Sequence, residues 1–146
     1  MIYWDTSCVL KLYTPEPDST VYLTQAGQST DPLLSSAVLR IELYYALRQK
    51  ELRGDITSGA ADHSIQQFEA DCNKGRWTLV AIAQDVLVKA NELARICYTH
   101  RPPVHLRTLD GIHLATAILA KAQQVVTTDT RMRTAAGILG IPLFTP

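Results

Sequence analysis

Short apolar runs of strand length alternate with longer helical patterns along this chain, and that alternation narrows the possible folds more than any other feature. Strands are expected at Ile2 to Trp4, weakly at Leu33-Leu34-Ser35, at Trp77 to Ala83, at Gln124 to Thr127, and as a weak edge piece at Pro142 to Thr145. Helices are expected from Asp18 to Gly27, Ser36 to Leu52, Thr57 to Asn73, Gln84 to Tyr98, Thr108 to Ala122 and Thr130 to Leu139. Asp18 reads as a cap, and Gly27, Gly54 and Gly75 read as stops. Strands alternating with helices imply a parallel sheet covered on both faces. The strands also read as continuous apolar runs, as doubly buried strands do. The expected architecture is a three-layer α/β/α fold with a mostly parallel sheet of four to five strands.

At 146 residues the chain suits one domain, residues 1–146, with a real core. Arg101-Pro102-Pro103 marks a loop rather than a boundary. No apolar run approaches the roughly 20 residues that cross a bilayer. The opening Met1-Ile2-Tyr3-Trp4-Asp5 carries no basic leader or cleavage pattern, so no secretion signal is expected. Cys8, Cys72 and Cys97 are odd in number and form no CxxC, which suits packing roles in a reducing cytoplasm. The formal net charge is zero, so any nucleic-acid contact has to come from local patches rather than bulk charge.

Four carboxylates stand in telling places. In an open parallel sheet, ligands bind beyond the carboxyl ends of strands, where strand order reverses. Asp5 follows the first strand and Asp129 the fourth, so neighbouring strands would bring both to one rim. Either acid alone is equally explained as the N-cap of the next helix. Glu42 has Val38, Leu39, Tyr45 and Ala46 at its helical neighbour positions, while Arg40, Arg48 and Glu51 fall on the exposed face. A carboxylate on a buried stripe is costly unless it is paired or bound to a metal. A tyrosine hydrogen bond or a salt bridge is the plainer alternative. Asp110 lies in "RTLDGIHLATAILAKA", in the first turn of a helix that Thr108 would cap. The helix dipole favours an anion there, yet Leu114 and Ala117 carry the same stripe into the core. Four anions sharing a cleft repel one another, and a divalent cation resolves the conflict. Oxygen-only ligands favour Mg²⁺ or Mn²⁺ over zinc, and no histidine–cysteine set offers a zinc site. Such a centre suits phosphodiester hydrolysis.

These residues carry a resemblance. "YWDTSCVLKLYTPEP", "SSAVLRIELYYAL", "LRTLDGIHLATA" and "VVTTDTRMRTAAGILGI" occur in order over essentially the whole chain. In this the sequence resembles PIN-domain ribonucleases, specifically the VapC-like toxins of bacterial and archaeal toxin–antitoxin pairs. The resemblance implies a PIN-like fold and a metal-dependent endoribonuclease acting on single-stranded RNA. Asp5, Glu42, Asp110 and Asp129 fall on the family's four acidic positions, as catalytic and metal-binding residues. Ser7 and Thr128 fall on positions that often support the metal by hydrogen bonds; local capping explains both hydroxyls as well. The resemblance further implies a transfer or ribosomal RNA substrate and a small VapB-like antitoxin in the active-site groove. It also implies a toxin homodimer, assembled with antitoxin into a heterotetramer or larger.

Other residues have two readings each. His113 is expected to be a packing histidine near the site, with a ligand or general-base role as the alternative. Arg95, His100, Arg101, His105 and Arg107 either guide RNA phosphates or line a solvated loop. Arg131 and Arg133 either hold phosphate or face water. Trp4 and Trp77 read as core. Tyr44 and Tyr45, with Leu43 and Leu47, either line a groove for a partner helix or pack internally.

Two further classes compete. A haloacid-dehalogenase-type phosphotransferase requires Asp-x-Asp after its first strand, and Asp5-Thr6-Ser7 lacks the second acid. A receiver requires an acceptor Asp ending a middle strand, but Asp55 follows "QKELRG", which is not strand-like. A PIN-like module that binds protein without catalysis is the other alternative. No G-x-G-x-x-G follows the first strand, which argues against a dinucleotide site.

Overall fold

Adjacent residues of a strand point to opposite faces of its sheet, and the strands here use that rule to feed two separate cores. The structure, a computed structural model, describes residues 1–146. Its strands are β1 (Tyr3–Trp4), β2 (Leu33–Ser36), β3 (Trp77–Val80) and β4 (Val125–Val126). Its helices are α1 (Thr6–Tyr13), α2 (Ser19–Gly27), α3 (Leu39–Arg53), α4 (Ala60–Asn73), α5 (Gln84–Thr99), α6 (Thr108–Leu119) and α7 (Thr130–Ile138). The sheet runs β3-β2-β1-β4 with every pair parallel. Leu143 adds one parallel bridge to Val125, so the expected edge piece amounts to a single bridge.

Trp4, Leu33, Trp77 and Val126 pack on one face against Cys8, Val9, Tyr22, Leu39, Leu43, Leu47 and Phe68, which come from α1 to α4. Tyr3, Leu34 and Val125 pack on the other face against Val86, Leu93, Leu114, Met132 and Ala135, which come from α5, α6 and α7. The result is the expected three-layer α/β/α architecture with a four-stranded, wholly parallel sheet. No helix is long and apolar enough to cross a membrane.

The topology positions the site. From β1 the chain steps to β2 and then β3 on one side, and later returns to place β4 on the other side of β1. Strand order therefore reverses between β1 and β4, and in such sheets that is where a ligand crevice is expected, beyond the carboxyl ends. Tyr3 pairs with Val125 and Trp4 with Val126, so the residues that follow the two strands emerge side by side.

Three local readings need correction. α1 begins one residue after β1, where no helix is expected from the sequence. β2 is a fully buried interior strand rather than a weak one. Its Ser35 and Ser36 hide the apolar signal, yet their hydroxyls are satisfied in the core: Ser35 donates across the sheet to the Trp4 carbonyl at 2.7 Å, and Ser36 accepts from the Val38 amide. α6 starts at Thr108 as expected, but its cap position is Arg107, with no side-chain cap hydrogen bond.

Candidate functional site

Each of the four acids sits at a helix N-terminus, where unpaired amides and the macrodipole favour negative charge. Asp5 caps α1 and Asp129 caps α7. Glu42 lies in the first turn of α3 and Asp110 in the first turn of α6. The capping reading therefore holds for Asp5 and Asp129, and it is compatible with a site reading.

Asp5 is 5% exposed. Its Oδ2 accepts from the Ser7 hydroxyl at 2.6 Å, the Thr127 hydroxyl at 2.9 Å and the Ser7 amide at 3.3 Å. Its Oδ1 is 3.9 Å from His113 Nε2, beyond hydrogen-bond reach. Asp129 Oδ1 accepts from the Arg131 and Met132 amides at 2.9 and 3.1 Å. Thr127 connects the two acids: its hydroxyl donates to Asp5 and accepts from the Asp129 amide at 3.1 Å. Thr128 contributes its backbone, donating its amide to Ser7 Oγ at 3.2 Å. The hydroxyl that reaches Asp5 is that of its neighbour Thr127, which sequence reasoning passed over. Both threonines end the same β-branched run, and only the strand pairing tells them apart.

Glu42 lies beside the buried stripe of Leu39, Leu43 and Leu47 rather than on it, with a side chain 20% exposed. Of its expected apolar surroundings, Tyr45 is turned outward. Glu42 Oε2 accepts from the Thr6 hydroxyl at 2.6 Å and from His113 Nε2 at 2.5 Å, which leaves Oε1 for another ligand. A carboxylate can only accept, so Nε2 carries the proton. Nδ1 of the neutral ring then accepts from the Tyr3 hydroxyl at 2.6 Å. His113 is 1% exposed, so it is a packing histidine that also acts on the site. Burial alone would lower the His113 pKa. The Glu42 hydrogen bond and the charges of Asp5, Glu42 and Asp110 outweigh it and hold the pKa above the ordinary value. For Glu42, burial raises the pKa, but the His113 bond and charge, with Thr6 and Arg107, carry it below the carboxylate norm.

Asp110 is equally buried, at 5% exposed. Arg107 holds it with two hydrogen bonds, Nε to Oδ2 at 2.7 Å and Nη2 to Oδ1 at 3.0 Å, and the same Nη2 reaches Asp129 Oδ2 at 2.6 Å. The Asp110 hydrogen bond firms the protonation of Arg107 against partial desolvation, and the charges of Asp110, Asp129 and Asp5 add to it. Asp5, Glu42, Asp110 and Asp129 thus form one electrostatic cluster at the crevice between β1 and β4, with His113 and Arg107 set among them.

The donor set suits a hard divalent cation, since it offers carboxylate oxygens and no thiolate. No three His, Cys, Asp or Glu side chains stand as a ready cage, however. Arg107 and His113 engage the oxygens that such a cage would use.

The other basic residues separate by environment. Arg133 is half-buried, and its Nη1 donates to the Thr127 and Phe144 carbonyls, which ties the end of β4 to the C-terminal segment. Arg131, Arg95, Arg101 and His105 are exposed, and His100 is bonded to the Pro102 carbonyl. Tyr44 and Tyr45 are exposed beside a cleft of about 290 Å³ whose walls include Ile41, Leu43, Ile65 and Phe68. Leu47, and most of Leu43, belong to the core instead. All three cysteines are free. Cys8 and Cys97 are core residues, and burial pushes the Cys8 thiol up to about 11.

Comparisons with known proteins identify the family and the fold. Residues 2–138 match the family model described as PIN domain. Ribonuclease VapC46 of Mycobacterium tuberculosis is 33% identical over 147 aligned positions, which cover 99% of this chain and 97% of that protein. Among solved structures, Mycobacterium tuberculosis VapC20, described as a sarcin-ricin loop cleaving toxin, superposes with a TM-score of 0.73 at 15% identity, with both chains fully covered. FitAcB from Neisseria gonorrhoeae gives a TM-score of 0.70 at 20% identity over 100% of this chain and 98% of that one. VapBC2 from Rickettsia felis, bound to a fragment of promoter DNA, gives 0.65 at 18% identity over 99% and 98%.

Proposed function

The chain belongs to the PIN-domain family, and from that premise we propose that it is a Mg²⁺- or Mn²⁺-dependent endoribonuclease serving as the toxin of a toxin–antitoxin pair. The observation that carries this reading is the convergence of Asp5, Glu42, Asp110 and Asp129 on one crevice from four separate helix N-termini. The 33% identity with a ribonuclease over nearly the whole chain supports the same activity. Residues 1–146 act as one nuclease domain. The substrate is RNA of transfer or ribosomal type. A small VapB-like antitoxin covers the groove, and the toxin works as a homodimer that joins its antitoxin in a heterotetramer or larger assembly.

Asp5, Glu42, Asp110 and Asp129 are the residues that would hold the cation. A bound divalent ion supplies Lewis-acid activation of water and charge neutralisation at the phosphate. The protein's own work is preorganisation. Ser7 and Thr127 fix Asp5 Oδ2 and leave Oδ1 without a hydrogen bond. Thr128 in turn fixes Ser7 through its amide. Thr6 and His113 hold Glu42 by Oε2, with Tyr3 bracing the imidazole from behind. Supports of this kind set ligand geometry and basicity. The helix N-termini offset the mutual repulsion of the acids before an ion arrives.

The test uses Asp5→Asn and Asp110→Asn. Each is expected to keep its circular dichroism spectrum and lose RNA cleavage and growth arrest by at least about 100-fold, the scale on which a single electrostatic group acts in catalysis. Undiminished cleavage by either would defeat the mechanism. One observation favours a non-catalytic PIN-like module, namely that Arg107 and His113 already engage the acids. Tight partner binding without calorimetric Mn²⁺ binding would select that reading. Turnover of small phosphate esters in place of RNA would select a phosphatase.

A further inference from the structure

We propose that Arg107 is a resident counterion of the acid cluster, one that holds Asp110 and Asp129 in the metal-free protein and must release them before a divalent cation binds. The inference rests on the reading of the four acids as a metal site. Two acidic side chains offer four oxygens, and all four on Asp110 and Asp129 already accept a hydrogen bond. Arg107 takes both oxygens of Asp110 and Oδ2 of Asp129. The remaining oxygen, Asp129 Oδ1, is committed to the α7 amides. Each oxygen keeps a second lone pair, but a cation at Asp110 would sit against the guanidinium held on the same two oxygens, so the two positive charges compete for one carboxylate. Because that fork matches carboxylate geometry and remains charged at every working pH, it is an effective stand-in for a metal.

The two basic side chains of the cluster differ in their freedom to leave. His113 is 1% exposed and bonded on both ring nitrogens to Tyr3 and Glu42, so it stays. The Arg107 side chain is 54% exposed, and its residue stands just ahead of α6 in extended backbone. It can turn out to water about its own side-chain torsions without disturbing either core. If the held state dominates without metal, the apparent affinity for the ion falls by the fraction of molecules in which Asp110 is free.

The experiment is a calorimetric Mn²⁺ titration of the metal-stripped full-length protein. Wild type is compared with Arg107→Gln and Arg107→Lys, and Asp110→Asn serves as the control without the ligand. Arg107→Gln is expected to bind Mn²⁺ about tenfold more tightly than wild type, as for a held population near nine in ten. Arg107→Lys, which lacks the fork, should fall between them. Thermal unfolding gives a second readout. In EDTA, Arg107→Gln should melt below wild type because Asp110 has lost its partner, and saturating Mn²⁺ should close that gap. Unchanged or weaker Mn²⁺ binding by Arg107→Gln and Arg107→Lys, with wild type binding normally, overturns the counterion role and leaves the metal site standing. Absence of Mn²⁺ binding in wild type and both arginine variants overturns the two together.

Discussion

At the scale of single residues, satisfaction of polar atoms separates side chains that look alike in sequence. Trp4 and Trp77 are both core tryptophans. Trp77 Nε1 donates to the Tyr13 hydroxyl at 2.8 Å, while Trp4 Nε1 is buried with no partner. Replacing either by Phe removes the same volume, but only Trp77→Phe also breaks a hydrogen bond. Urea unfolding should therefore show Trp77→Phe to be the more destabilising by about 1 kcal/mol, the usual net worth of such a bond. Thr127 offers a sharper test of the site. Thr127→Val keeps shape and burial but removes the hydroxyl shared by Asp5 and the Asp129 amide. Mn²⁺ affinity by calorimetry should drop about 10- to 100-fold, the range for lost outer supports of metal ligands, and Thr127→Ser should recover most of it. Unaltered affinity in the valine variant would show that Asp5 needs no such support.

At the scale of elements, capping crosses between helices. Glu51, on the last turns of α3, accepts from the Gly59 amide at 2.9 Å and the Ala61 amide at 3.1 Å, so one helix caps the start of the next. Glu51→Ala should cost about 1 kcal/mol in denaturant unfolding, as a lost N-cap does, although the sequence alone puts this residue on an outer face. Gly111, in α6, has helical geometry, and an added Cβ would meet Leu106 Cδ2 at 3.6 Å, an ordinary contact. Gly111→Ala should therefore raise the melting temperature, by up to about 1 kcal/mol of stability from helix propensity. Elements were legible in the sequence where polarity and periodicity agree, as in α3 to α7. They were hidden where polar side chains are satisfied by backbone. The serines of β2 bond to backbone, Ser35 across the sheet to Trp4, and leave only a weak strand signal. α1 spends its cap, Asp5, on the residue that also ends the strand, so no loop separates the two. Asp5, Asp110 and Asp129 stood out because each begins a helix beside an apolar run, whereas Glu42 stood out for a buried stripe that it only flanks. Arg107 and Thr127 did not, because their roles depend on distances across the chain of 22 and 122 positions.

At the scale of the whole molecule, charge ties the first layer together away from the site. Glu16 Oε1 lies 2.8 Å from Lys50 Nζ and its Oε2 lies 3.3 Å from Lys11 Nζ, which joins the loop before α2 to α1 and α3. Burial alone would raise its pKa, but the bonds from Lys50 and then Lys11 prevail and lower it below 4.5. A folded value beneath the unfolded one means stabilisation that is complete above the unfolded pKa and lost as pH falls through the folded pKa. Wild type should thus unfold more readily as pH drops below 4.5. Glu16→Gln should be the less stable protein at neutral pH and converge on wild type in acid, as followed by urea midpoints at stepped pH. Parallel curves would mean that Glu16 contributes nothing. The layering has a consequence of its own. Everything through β3 builds the sheet's first three strands and one covering layer, and everything from α5 onward supplies the other layer with β4. Asp5 and Glu42 lie in the first half, and Asp110 and Asp129 in the second. A break in the chain near Ile82 would leave each fragment with two acids of the four, inert by itself. Nuclease activity would return only on complementation, so the enzyme would serve as its own reporter of assembly.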